Sequence, residues 1–279
     1  MIRAVGAARL TSHDVLPLVC LDVDGTLVGS SGEPSDALWA AAGRARARGQ
    51  RLTLCTARVA AGPTRTWAER LDPEGWHIFH TGAALWRPAD GALRLEVLDP
   101  HLVEACVELA AERDWVLELY SWDDYVVDDD RPLAVDHAGL LGLPFKRRPL
   151  DDLADPVVRA QFVVPRHRAD EAIASAPPGL SASGATSPVM PDAAFVSLIR
   201  EGTSKAHAVE AVAAELGVPL AQVMMVGDGH NDLPVLAMVG YGVAMGDADP
   251  EVRAAASIVV AGVDDDGAAE AIDRSATLG

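Results

Sequence analysis

Two short apolar runs near opposite ends of the chain share one grammar. Leu16–Leu21 (Leu-Pro-Leu-Val-Cys-Leu) ends in Asp22 and Gly25, and Gln222–Val226 ends in Gly227-Asp228-Gly229. Each reads as a buried strand that opens into a polar, glycine-bearing loop. After the first, Pro34 and Ser35 begin an Ala-rich stretch to Arg48 that stops at Gly49, matching the start and stop signals of a helix. Further strands are expected over Arg51–Cys55, Trp76–His80, Tyr241–Ala244 and Ser257–Val260. Further helices are expected over Ser204–Leu216, from about Asn231, and over Pro250–Ala256. Strands alternating with helices predict an α/β fold with a parallel sheet covered on both faces. Such sheets bind ligands beyond the carboxyl ends of their strands, where Asp22, Thr56 and Asp228 fall.

The texture changes from about Trp86 to Arg200, where strand pairs and isolated helices are separated by Pro88-Ala-Asp-Gly91, Asp128-Asp-Asp-Arg-Pro132 and Pro177-Pro-Gly179. This predicts an inserted α+β domain over 86–200, a core built from 1–85 and 201–279, and hinges near Leu85 and Glu201-Gly202. With 279 residues, 49% of them apolar and 23% charged, the chain has ample material for such cores. Its formal charge of −18 repels a polyphosphate backbone and disfavours nucleic acid as a partner. Three cysteines without paired spacing give neither a disulfide framework nor a zinc pattern. Arg3, Arg9, His13 and Asp14 interrupt the stretch before Leu18, and no run is long enough to span a bilayer. A cytoplasmic protein without a membrane partner is expected, monomeric or weakly homo-oligomeric.

The chemistry concentrates in Asp22-Val-Asp-Gly-Thr-Leu27. In an extended segment residues i and i+2 share a face, so Asp22 and Asp24 can address one substrate as nucleophile and general acid, while Gly25 lets the chain turn away. Thr56 offers a hydroxyl to a phosphate oxygen, and Lys205 a positive charge for developing negative charge. Asp228 and Asp232, in Gly227-Asp-Gly-His-Asn-Asp232, supply hard oxygen ligands of the kind magnesium takes. Asn231 adds an amide donor.

In these residues and their order the chain resembles the haloacid dehalogenase superfamily, specifically its Cof-like, type IIB phosphatases. The resemblance implies a Rossmann-like core carrying a cap, with Asp22 as nucleophile and Asp24 as acid/base. It implies Thr56 and Lys205 on the phosphoryl group, and Mg2+ held by Asp22, Asp228, Asp232 and the backbone carbonyl of Asp24. Substrate contacts are expected from Thr56, Arg58, Gly82, Lys205 and Asn231. The chain between Asp24 and Thr56 is too short for a cap, so the cap belongs between Thr56 and Lys205. Two departures stand out: Thr56-Ala-Arg where Thr-Gly-Arg is common, and His80-Thr-Gly-Ala where Ser-Asn-Gly-Ala is frequent. The implied activity is hydrolysis of a small phosphorylated metabolite. A phosphomannomutase-like phosphotransferase, a sugar-conjugate phosphatase and a non-catalytic phosphometabolite-binding protein are the alternatives.

Several residues carry a second, structural reading. Thr56 is read as catalytic, with a helix cap as the alternative, and Asp232 either ligates metal directly or acts through Lys205 or a bound water. His230 occupies a variable position and is expected in solvent. Cys20 and Cys55 are expected to fill the sheet. Lys146-Arg147-Arg148 either steers an anionic substrate or is a solvated face. Tyr120, Trp122 and Tyr125 are either core or a stacking wall for a sugar.

Overall fold

The computed structural model describes residues 15–154, 156–187 and 189–278; the stretch 1–14, whose interrupted apolar pattern was read above, lies outside the described residues. The chain divides into two compact units, Met1–Leu54 with Glu210–Gly279, and Cys55–Val209.

The first unit is built on strands β1 (Leu18–Leu21), β2 (Arg51–Leu54), β11 (Val223–Gly227), β12 (Tyr241–Ala244) and β13 (Ile258–Val259). All pair in parallel, in the order β13-β12-β11-β1-β2. The apolar run at β1 is continuous rather than alternating because the strand is buried on both faces: Leu18, Val19, Cys20 and Leu21 have no exposed surface. Helix α1 (Asp36–Ala47) starts where Ser35 accepts a hydrogen bond from the Leu38 amide and turns Leu38, Ala41, Ala42 and Ala45 inward. From β1 the chain steps outward through α1 to β2, and from β11 it steps the other way through α7 (Leu233–Met238) and α8 (Pro250–Ala255). Parallel crossovers are right-handed, so opposite steps put α1 on one face and α7 with α8 on the other. Helix α9 (Gly267–Arg274), for which the sequence reading made no prediction, packs on α1. The predicted α/β fold is therefore present, and the reversal of direction falls between β1 and β11.

The second unit holds β3 (His77–Phe79), β4 (Ala84–Arg87) and β5 (Ala92–Leu95) in one antiparallel sheet. The sequence reading put β3 in the series of parallel strands. It instead forms a hairpin-like pair with β4, and its one parallel link is the Ile78–Cys55 bridge, because the chain reverses at His80–Gly82. A second antiparallel sheet runs β7-β6-β8-β10-β9, from β6 (Val116–Tyr120), β7 (Tyr125–Val127), β8 (Arg159–Pro165), β9 (Leu180–Ser187) and β10 (Met190–Arg200). Helices α2 (Gly62–Leu71), α3 (Pro100–Arg113), α4 (Pro132–Leu140) and α5 (Ala169–Ala174) complete the unit, and α6 (Lys205–Glu215) leaves it. The five-stranded sheet and its helices are the inserted α+β cap; Leu117, Leu119, Phe162, Val164, Val196 and Leu198 form its main core. No helix among the described residues is long and apolar enough to cross a membrane.

Candidate active site

Beyond the carboxyl ends of β1 and β11 the backbone delivers three acids to one place. Oxygens of Asp22, Asp228 and Asp232 all lie within 4.8 Å of one another. The Asp22 amide donates to the Val226 carbonyl (3.0 Å), which ties the end of β1 to β11. After Asp22 the chain folds into a tight turn in which the Leu27 and Val28 amides both reach the Val23 carbonyl at 2.9 Å. Gly25 sits in that turn at φ +76°, and a Cβ there would lie 2.2 Å from an Asp228 carboxylate oxygen. Only glycine meets both demands. Thr26 donates its hydroxyl to Asp228 Oδ1 (3.0 Å), and the Gly229 amide donates to Asp232 Oδ2 (3.2 Å). Both carboxylates are thereby oriented by neighbours in the first unit. Thr26 was not singled out from sequence, although it lies inside the motif that was.

Asp22 is 6% exposed and Asp232 fully buried, whereas Asp24, two residues beyond Asp22, is exposed. Like charges this close repel in a poorly solvated site, and a divalent cation offsets them. The donor set is all oxygen, which fits magnesium. Asn231 is exposed on the turn before α7, and His230 is exposed as expected, its ring nitrogens 3.4 Å from Asp249 and 3.2 Å from Glu251.

The remaining expected site residues belong to the second unit. Thr56 is fully buried; its amide donates to Ile78, its carbonyl accepts from the Thr81 amide (3.0 Å), and its hydroxyl accepts from the Arg58 amide (3.1 Å). Arg58 lies with its guanidinium carbon 5.5 Å from the centre of the Trp67 ring. His80 and Thr81 both adopt left-handed backbone, φ +50° and +58°, a region that Asn enters more readily than a β-branched residue. At Gly82 (φ +106°) a Cβ would lie 2.4 Å from the Ser204 carbonyl, so this glycine lets its loop close against the residue before Lys205. Lys205 itself is 1% exposed at the start of α6.

Of the two readings left open for Tyr120 and Tyr125, core and stacking wall, the structure has the core: they are 0% and 9% exposed and belong to a second cap core with Val116, Val163 and Phe195. Trp122 packs instead beside Trp86 and Arg65. Arg147 pairs with Asp128 (2.8 Å) and Arg148 with Asp124 (2.8 Å), so two of the three cations of Lys146-Arg147-Arg148 are committed to carboxylates, which favours the solvated face over the steering role. Cys20 and Cys55 are buried as expected, and burial pushes the Cys20 thiol up to about 12, out of reach of nucleophilic chemistry.

Comparison with known proteins identifies the family and the fold. A family model described as haloacid dehalogenase-like hydrolase matches residues 19–272. The chain is 25% identical over 238 residues to the HMP-PP phosphatase of Cronobacter sakazakii (strain ATCC BAA-894), covering 85% of this chain and 86% of that one. The structure of the phosphatase BT1666 from Bacteroides thetaiotaomicron superposes with a TM-score of 0.81 at 25% identity, over 98% of this chain and 100% of that one. A haloacid dehalogenase-like hydrolase from the same organism gives 0.80 at 26% identity, over 92% and 98%. The chain belongs to the haloacid dehalogenase-like hydrolases and is a phosphatase of that family.

Proposed function

We propose that the chain hydrolyses a small phosphomonoester, a sugar phosphate or similar metabolite, by way of a phosphoryl group carried on Asp22. The observation that carries this reading is the gathering of Asp22, Asp228 and Asp232 at the reversal between β1 and β11, with Asp24 exposed two residues on.

In the proposed reaction an Asp22 oxygen attacks phosphorus in line as the ester oxygen departs. Asp24 gives that oxygen a proton, then takes one from the water that cleaves the aspartyl phosphate. Thr56 and Lys205 are assigned to the phosphoryl oxygens, where a hydroxyl donor and a fixed cation oppose the growing charge. Arg58, Gly82 and Asn231 are assigned to substrate. Asp22, Asp228 and Asp232, with the Asp24 carbonyl, would hold Mg2+, which supplies charge neutralisation when bound. Asp232 is assigned to the direct ligands, since its oxygen lies within 4.8 Å of those of Asp22 and Asp228. The cap, 86–200, is assigned the choice of leaving group, because the core motifs address only what every phosphomonoester shares. Three free, buried cysteines support a reducing, cytoplasmic setting.

The test is capture of the intermediate. During turnover with magnesium, the peptide bearing Asp22 should gain one phosphoryl group that borohydride reduces to homoserine, and inorganic phosphate should appear. Modification of another residue would sink the mechanism, and isomerised hexose phosphate in place of phosphate would make the chain a phosphotransferase.

A further inference from the structure

The cap buries a polar seam that runs across three strands. Ser197 of β10, Gln161 of β8 and Glu118 of β6 are successive cross-strand partners, and Tyr120 faces Arg159 two residues further along. Residues i and i+2 of a strand share a face, so these side chains line one side of the sheet. Ser197 donates to Gln161 (3.1 Å), Gln161 to Glu118 (3.0 Å) and the Tyr120 hydroxyl to Glu118 (2.6 Å), while His137 of α4 donates to the other Glu118 oxygen (2.8 Å). The seam ends at Arg159. Its guanidinium carbon lies 3.9 Å from the centre of the Tyr120 ring, and Nη1 donates to the Ala57 carbonyl at 2.5 Å.

Ala57 stands between Thr56 and Arg58. Three backbone–backbone bonds already hold this tripeptide, the Thr56 amide to Ile78 and the Thr56 and Arg58 carbonyls from Thr81 and His80, and the Arg58 amide donates to the Thr56 hydroxyl. The Ala57 carbonyl is held by a side chain of the inserted segment instead. Arg159 is 3% exposed and its Nε has no hydrogen-bond partner, so its burial leaves one donor unsatisfied while Nη1 is spent on the Ala57 carbonyl. Burial also depresses its basicity, a cost that a merely space-filling residue would not carry.

We infer that Arg159 is a positioning residue through which the cap sets the loop Thr56–Arg58, fixing where the Thr56 hydroxyl and the Arg58 side chain meet the phosphorylated substrate. This rests on the assignment of Thr56 and Arg58 made above. The Tyr120 ring and the Glu118–His137 pair behind it hold the guanidinium at the height of the Ala57 carbonyl. A change in the cap sheet at that point is thereby felt at the phosphate-binding loop.

The experiment compares Arg159→Met, Arg159→Gln and Arg159→Lys with the wild type. Hydrolysis of p-nitrophenyl phosphate with magnesium is followed alongside hydrogen exchange of residues 55–60 and the melting temperature. Displacing a reacting group by an ångström costs on the order of a hundredfold, so the folded Met and Gln variants should lose at least about tenfold in kcat with little change in KM. Exchange at 55–60 should quicken in both. Lys, which keeps a charged donor, should recover most of the kcat. Should Met fail to fold, Gln decides. Wild-type kcat in either folded variant, unchanged exchange at 55–60, or Lys no better than Met would overturn the inference. Were Asp22→Asn to keep full turnover, the reading of the site itself would fail; the exchange of 55–60 does not depend on turnover and would still decide whether Arg159 holds the loop.

Discussion

The two units each bury charge, and they do so in opposite ways. In the first, Asp22, Asp228 and Asp232 bring like charges within 4.8 Å of one another. In the second, Glu118 sits between His137, Tyr120 and Gln161; burial pushes its carboxyl up, but the neighbouring His137 and Tyr120 outweigh this and hold it below the usual range. A cluster of one sign destabilises its own fold and becomes favourable with a ligand of the other sign. A cluster of mixed sign is complete as folded, and it rigidifies what it touches. The first arrangement marks a binding site and the second a support.

The comparison breaks most readily at Asp22. Asp22→Asn should lower kcat on the order of a thousandfold or more, since an amide is no substitute for the nucleophile. Without magnesium, however, it should melt at a higher temperature than the wild type, because one of three repelling charges is gone. A lower melting point would mean that the acids are not a strained cluster. For the wild type, magnesium should raise the melting temperature and EDTA should remove both that gain and turnover.

At Glu118 the sign reverses. Glu118→Gln leaves one acceptor oxygen where His137, Tyr120 and Gln161 now find two, and a buried donor left without its partner costs about 1 to 3 kcal/mol, read from urea midpoints. A neutral outcome would make the seam dispensable.

The histidines of the second unit sharpen the contrast through pH. Burial holds His77 down to about 4, and His80 also lies well below its ordinary range through burial and the Arg159 charge. The His77 Nε2 lies 2.8 Å from the Asp72 carbonyl. A group protonated more easily unfolded than folded leaves stability untouched above about pH 6.5 and drains it as pH falls towards 4. The loss from His77 is about 3 kcal/mol over that window. Melting curves from pH 7 to 4 should show that acid limb, and His77→Gln should make it shallower, leaving the share due to His80. Smallest of all, Arg147→Ala should change kcat/KM by less than about twofold, since this exposed cation already pairs with Asp128 and Asp130. A larger loss would restore a steering role.

The first unit was largely legible because its signals are local. A strand buried on both faces reads as a continuous apolar run, and a glycine beside an acid reads as the loop that follows it; β12 was placed to the residue. The seam was not legible. In β6, Glu118 lies between Leu117 and Leu119, and in β8, Arg159 and Gln161 flank Ala160, an alternation that reads as one wet face and one dry. Here α4 covers the polar face, and that fact lives in the tertiary structure alone. For the same reason the choice between core and stacking wall at Tyr120 could be made only in the structure, where it is core. Helix α9 went unpredicted although Ala268, Ala269, Ala271 and Ile272 give it an apolar face, because no strand follows it to complete the alternating pattern.

The pairing of β1 with β11 also governs how the molecule comes into being. Thr26 and Asp228, which share a hydrogen bond, stand 202 residues apart. While the chain is being synthesised, β1 can pair with β2 soon after both emerge, but its other edge stays open until β11 arrives. Closing so long a loop costs little more free energy than closing one half its length, about 0.6 kcal/mol. The delay is therefore kinetic, and it is spent with an apolar strand edge uncovered. Folding of the intervening segment brings the ends of that loop closer in effect, so substitutions that slow the cap should appear first as aggregation of the nascent chain. The acid cluster, for its part, cannot draw in a cation before β11 and the turn that carries Asp228 and Asp232 are made.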